Sequence, residues 1–126
     1  MSEDHSYRIN PQDKKILRLF IELGIPKNLA KTLLYLSQID ECNSIDIEHE
    51  TKQRQPEVSL ATQELIKKGW IKKRDLRKKR KGRPAQIYKL ACTLEEIITK
   101  IEKEKTKEIE AVKKDLSALK ELIENI

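Results

Sequence analysis

Residues 54–90 read RQPEVSLATQELIKKGWIKKRDLRKKRKGRPAQIYKL. A helical run opens at Gln55-Pro56, where proline suits the first turn, and stops at Gly69, so the spacing predicts a helix over Gln55–Lys68. Trp70–Leu76 and Ala85–Leu90 predict two strands, with Arg77–Pro84 as the loop between them. Trp70, Leu76, Ile87, Tyr88 and Leu90 are the apolar and aromatic positions of this hairpin. Trp70 could stack on a base; directly after a helix-ending glycine it is better placed to anchor the hairpin to a helical core. Between Lys67 and Lys89 stand twelve cations and one acid, Asp75, a local charge of +11. The whole chain carries +6, so everything outside that segment sums to −5. The basicity is concentrated on one segment, and self-repulsion of that size points to a polyanionic partner.

Upstream, residues 1–9 read as a tail. Asn10 can cap a first helix, Pro11 suits its first position and Asp13 favours the positive end of its dipole. Ile16, Leu17, Leu19, Phe20, Ile21 and Leu23 give this helix a broad apolar face, predicting that it is mostly buried, and Gly24 ends it. Pro26 starts a second helix with Leu29, Ala30, Leu33, Leu34 and Leu36 facing the core. Asp40–Asn43 is expected as a loop. Ser44 is expected to cap a short third helix, with Glu48 near its first turn and Ile45 and Ile47 as its apolar residues; Thr51–Arg54 is the turn that follows. On the helix Gln55–Lys68, Val58, Ala61, Thr62 and Leu65 share the inner face, and the small Ala61 lets the two helices cross closely. Gln55, Glu57, Ser59, Leu60, Gln63 and Lys67 lie outward, a short polar set of the kind a helix needs to enter a major groove.

Downstream, Thr93-Leu94-Glu95-Glu96 is a capping box, and no Gly or Pro interrupts the chain from there to Ile126. At ~1.5 Å per residue this helix would run roughly 50 Å. Ile109, Val112, Leu116, Leu119, Ile123 and Ile126 alternate by three and four, a heptad seam. Leu94, Ile97, Ile98 and Ile101 form an earlier apolar patch. Ile98 to Ile109 and Ile101 to Val112 are eleven-residue steps, which marks a four-residue stutter. So long a seam wants a partner helix, and Ile98, Ile101 and the six seam residues are the expected dimerisation positions.

With 37% hydrophobic and 38% charged residues and a mean hydropathy of −0.70, the chain suits a small helical domain with long solvated faces. No apolar run approaches the ~20 residues needed to span a bilayer. The start MSEDHSYRIN lacks the basic-then-apolar order of a signal peptide, so the expected setting is the cytoplasm without a membrane partner. Cys42 and Cys92 form no CxxC, and no spacing brings them together with His49 as three or four converging metal ligands. Two free thiols are therefore expected, and no metal or other cofactor. Three glycines, Gly24, Gly69 and Gly82, leave no phosphate-cradling loop. HExxH and GxSxG are both missing, which argues against an enzyme.

Helix, helix, helix–turn–helix, hairpin and helix is the order of a winged helix-turn-helix domain. At residue level the chain resembles the MarR/ArsR/TrmB-like transcriptional regulators, small archaeal ones in particular. Glu50-Thr51, Arg54-Gln55-Pro56-Glu57-Val58-Ser59, Ala61, Leu65 and Gly69-Trp70-Ile71 look like their recognition-helix signature. Lys81-Gly82-Arg83-Pro84 with Tyr88 and Leu90 looks like their wing. The resemblance spans roughly residues 10–92. It implies a mainly α fold with a small β-hairpin, a DNA-binding domain over 10–92 and a dimerisation helix over 93–126. The third helix carries fewer apolar residues than is usual in these regulators. ArsR-type metal sensing would need a cysteine cluster that the chain lacks, and its residues name no small-molecule effector.

The expected partners are double-stranded DNA and a second copy of the chain. Arg54, Arg77, Lys78, Lys79, Arg80, Lys81 and Arg83 would neutralise phosphates and fix register. Gln55, Ser59 and Gln63 suit base edges, Glu57 could accept from cytosine N4, and Leu60 could meet a thymine methyl. Lys81–Pro84 matches a minor-groove arm, and Gly82-Arg83-Pro84 also serves as a hairpin turn. The rival readings are a non-enzymatic assembly module that binds protein, and an RNA binder. Aromatic residues make up 4% of the chain and form no stacking platform for single strands.

Overall fold

The computed structural model describes residues 11–76 and 85–126. The expected tail, the Asn10 cap and the Arg77–Pro84 loop lie outside the described residues. The chain divides into two compact units, one ending at Cys92 and the other covering Thr93–Ile126. The first holds α1 (Pro11–Glu22), α2 (Lys27–Leu36), β1 (Cys42–Asn43), α3 (Ser44–Thr51), α4 (Gln55–Lys67), β2 (Ile71–Leu76) and β3 (Ala85–Leu90).

The central element is α2, with Leu29, Ala30, Thr32, Leu33, Leu34, Tyr35 and Leu36 all buried. It packs against α1, α3 and α4. On α4 the buried residues are Val58, Ala61, Thr62 and Leu65, the inner face that helical spacing predicts. Two left-handed glycines turn the chain back onto the core. Gly69 has φ 78, and beyond it the Trp70 N–H reaches the Leu65 carbonyl at 3.0 Å while the Gly69 N–H reaches Ile66 at 2.9 Å. This double closure seats the residue after the glycine on the last turn of the helix. Trp70 is accordingly buried, with Lys68 Nζ 5.2 Å from its ring centre. Trp70 is an anchor, and it sets where the hairpin leaves α4. Gly24, φ 99, ends α1 in the same way and seats Ile25.

Four local expectations are corrected. Asp40–Asn43 is not all loop: Cys42 and Asn43 form β1, paired antiparallel with Tyr88 and Ile87, which makes a three-stranded sheet of order β1-β3-β2. The cap of α3 is Asn43, not Ser44. Asn43 Oδ1 accepts the Asp46 N–H at 2.8 Å and Asp46 Oδ2 accepts the Asn43 N–H at 3.3 Å. Strand pairing holds Asn43 extended, so the helix begins at the next residue. Helix α3 then runs through Thr51, shortening the turn to Lys52–Arg54; Ile47 is fully buried on it but Ile45 is 69% exposed. Finally, α1 is not mostly buried. Leu17 and Phe20 face the core, whereas Leu19, Ile21 and Leu23 are exposed, because a single helix face is enough to cover α2.

A buried polar network fixes the turn before α4. Gln53 Nε2 donates to the hydroxyls of Thr32 (3.0 Å) and Thr51 (2.6 Å). Those hydroxyls give their only hydrogens to the carbonyls of Asn28 and Ile47, so they can only accept from Gln53. The amide orientation is thereby forced, and Gln53 Oε1 is left buried without a partner among the described residues.

The second unit is α5 (Leu94–Glu124). Thr93 Oγ1 accepts the Glu96 N–H at 3.1 Å and Glu96 Oε1 accepts the Thr93 N–H at 2.9 Å, the reciprocal cap the sequence predicts. No helix among the described residues is long and apolar enough to cross a membrane.

Candidate nucleic-acid interface

On α4, the side chains of Gln55, Glu57, Leu60, Gln63 and Lys67 are exposed and Ser59 is half-buried. The inner face is consumed by the core, so this set is what the helix offers to a partner. Gln63 Nε2 donates to Ser59 Oγ at 3.3 Å, one turn away. That bond uses one of the two amide hydrogens and fixes the amide plane. The second hydrogen and the carbonyl stay free, which is the pair needed to bridge adenine N7 and N6. Leu60 is 65% exposed in the middle of the helix, a position where a thymine methyl would remove apolar surface from water.

Glu57 has another task. Its Oε1 accepts the Arg54 N–H at 2.8 Å, closing the start of α4 from the inside. For it to accept from cytosine N4 the cap would have to open, at a cost of about 0.5–2 kcal/mol. Glu57 therefore defines where the helix begins, and with it the point from which the exposed Arg54 side chain departs.

The wing-tip cations Arg77, Lys78, Lys79, Arg80, Lys81 and Arg83 lie outside the described residues. The hairpin stem is described, and its register adds positions that charge counting alone did not single out. Lys72 stands directly opposite Lys89, and Arg74 opposite Ile87. Alternation puts all four on the outer face of the sheet. Arg74 is held bidentate by Glu41, with Nη2 to Oε1 at 2.9 Å and Nε to Oε2 at 3.4 Å. Lys72 and Lys89 have no acidic partner among the described residues, although like charges directly opposite each other repel. A shallow pocket of about 260 Å³ lies here, lined by Glu41, Lys72, Lys73, Arg74, Ile87 and Lys89. Phosphate is the chemistry such a surface suits. The signal in the sequence was the period-two spacing of Lys72 and Arg74, which becomes informative once Lys89 is registered against them.

Neither cysteine belongs to this surface. Cys42 is buried on β1; burial, with Asp46 adding to it, pushes its thiol up to about 12, so it is a neutral packing group rather than a reactive thiolate. Cys92, just beyond β3, is half-buried. Iodoacetamide at neutral pH is expected to modify Cys92 at least about tenfold faster than Cys42 in the native chain, with the difference vanishing in denaturant. Equal native rates, read by intact mass, would show that β1 opens readily. Among the described residues no three His, Cys, Asp or Glu side chains gather as metal ligands.

On α5, Ile109, Val112, Leu116, Leu119 and Ile123 are each more than half exposed, and Ile126 is 99% exposed. Ile98 is likewise 51% exposed, but Ile101, expected beside it on a seam, is 4% exposed in the single chain and has no surface left for a partner helix.

No protein-family model matches the sequence, and no curated protein does. Solved structures match in fold. A Methanosarcina mazei Go1 protein described as a "possible transcriptional regulator" superposes with a TM-score of 0.62 at 14% identity, over 82% of this chain and 88% of that one. A MarR-family transcription regulator gives a TM-score of 0.52 at 18% identity, over 79% of this chain and 64% of the other. The regulator NadR, solved with 4-hydroxyphenylacetate, gives 0.53 at 17% identity, over 98% and 91%. At these identities the likeness establishes architecture: the chain has the winged-helix fold of MarR-family transcription regulators, with a short sheet and a long C-terminal helix.

Proposed function

We propose that this chain is a non-enzymatic, cytoplasmic transcription regulator that binds duplex DNA as a homodimer. The observation that carries the reading is the solvent-facing set Gln55, Ser59, Leu60, Gln63 and Lys67 on α4, in a winged-helix unit whose hairpin segment carries a net +11. In this reading residues 10–92 are the DNA-binding domain and 93–126 the dimerisation helix. Two copies of α4 enter successive major grooves, about 34 Å apart on one face of the duplex. The wings, centred on Lys79–Arg83, follow the flanking minor groove or the backbone. Gln55, Ser59 and Gln63 read base edges, Leu60 meets a thymine methyl, and Arg54, Lys67, Arg77 and Lys78 contact phosphates. Helix α5 joins the protomers through Ile98 and the seam from Ile109 to Ile126.

The test is a titration of mixed-sequence duplex DNA at several ionic strengths. Each phosphate contact releases condensed counterions, so about six contacts give a log–log slope near −5. An affinity that stays flat with salt, or no binding at low salt, rejects the DNA reading and favours an assembly module that binds protein.

A further inference from the structure

Away from the hairpin, four cations meet where α2, the end of α3 and the start of α4 come together. Lys27 and Lys31 stand one turn apart on α2 and so share a face. Lys31 is half-buried, and its Nζ donates to the backbone carbonyl of Thr51, the last residue of α3, at 3.4 Å. Lys52 follows directly, and Arg54 precedes the first residue of α4. Lys27, Lys52 and Arg54 are exposed. These side chains are close enough to feel each other: burial first, then the Lys27 ammonium, lowers the pKa of Lys31 from its usual value, with Lys52 adding to this and the Glu57 carboxylate opposing it. Glu57 is the acid nearest the group, and one of its oxygens is already committed to the Arg54 N–H.

Lys52 makes the arrangement more pointed. Its φ is 56, the left-handed conformation that glycine adopts freely and other residues resist. A position whose backbone favours glycine carries a cation instead. The segment outside the hairpin is acidic on balance, so this local gathering of positive charge runs against its own background.

We infer that Lys27, Lys31, Lys52 and Arg54 form a second phosphate clamp, independent of the wing, that grips the backbone of duplex DNA at the N-terminal end of α4. The inference rests on the DNA-binding reading and adds a site to it. Helix α4 is 13 residues long, about 20 Å at ~1.5 Å per residue, and the hairpin departs from its other end. Phosphate contacts at one end of the helix alone leave it free to pivot in the groove. A grip at each end fixes both its depth and its register, which base-reading side chains as short as Ser59 require. Lys31 is the stiff member, held by Thr51. Lys27 and Lys52 are the mobile ones that reach outward.

The test compares the full chain with Lys27→Gln/Lys52→Gly, and with a charge-matched control, Lys14→Gln/Lys15→Gln, on the exposed side of α1. Glycine suits the backbone at 52, so the clamp variant keeps the fold, which a thermal melt verifies. Titration of one duplex at several salt concentrations is expected to give the clamp variant a slope shallower by about 2, at roughly 0.9 per lost contact, and an affinity at least about tenfold weaker at 0.1 M salt. The loss should be the same on unrelated duplexes, and the control should follow the unchanged chain. If the clamp variant keeps the slope of the control, Lys27 and Lys52 are solvated surface charges and the clamp is wrong while the DNA reading stands. If the unchanged chain binds no duplex at any salt concentration, the DNA reading falls and the clamp falls with it.

Discussion

Replacing Leu116 and Leu119 by Asp, or ending the chain before Ile109, is expected to turn a dimer into a monomer at low micromolar concentration. The six seam residues from Ile109 to Ile126 are all more than half exposed in the single chain, and their spacing places them in one stripe along α5. In a paired helix each Asp would lie in an apolar seam facing another carboxylate across the axis. Burying such charges without partners costs several kcal/mol, so a rise of at least about 100-fold in the dimer dissociation constant, near 2.7 kcal/mol, is the expected floor. Light scattering reads the mass directly. DNA affinity should fall with it, because two half-sites held together gain from effective concentration and separate domains do not. A truncated chain that remains dimeric would place the interface elsewhere. The exposed Leu19, Ile21 and Leu23 of α1 are then the surface to test.

The elements legible in the sequence are those whose signals are local. Helix α4 could be read from Val58, Ala61, Thr62 and Leu65 and from its closing Gly69, because burial and the left-handed stop both act within a few turns. The start of α5 was equally plain, since Thr93 and Glu96 satisfy each other three residues apart. What escaped depends on distant partners. β1 is two residues long and exists only because Cys42 and Asn43 meet Tyr88 and Ile87, some 45 residues later. That pairing also decides between two good caps: Asn43 is held extended as the end of a strand, so Ser44 is already helical. Gln53 reads as a polar turn residue, yet it is buried between Thr32 and Thr51, which come from two different helices. Glu57 looks like a groove residue because it points outward, and only the bond to the Arg54 N–H shows that it is engaged. The same holds for Lys27, Lys31 and Lys52. They are separated in sequence and have no common period, so nothing short of the packing of α2 against α3 brings them together.

The division of labour between α4 and the wing gives the second large effect. Gln63→Ala is expected to remove base preference at one position in each half-site, because Gln63 offers a donor and an acceptor in one plane, already oriented by its bond to Ser59 Oγ at 3.3 Å. A bidentate contact of this kind discriminates by about 1–3 kcal/mol. A dimer makes it twice, so discrimination over a symmetric site should drop by roughly 2–6 kcal/mol where the two half-sites act independently. Arg83→Ala should leave that position untouched and instead reduce preference for A·T-rich flanks, since a guanidinium on a short extended loop suits a narrow groove with strong negative potential. Lys79→Ala should weaken every sequence about equally, because a phosphate contact carries no base information. The three variants are compared on one selected site whose core and flanks are changed separately. If Arg83→Ala and Lys79→Ala behave alike on every flank, the wing acts as an electrostatic grip alone. If Gln63→Ala leaves all base preferences intact, sequence is read from another face, and the assignment of α4 as the reading helix does not survive.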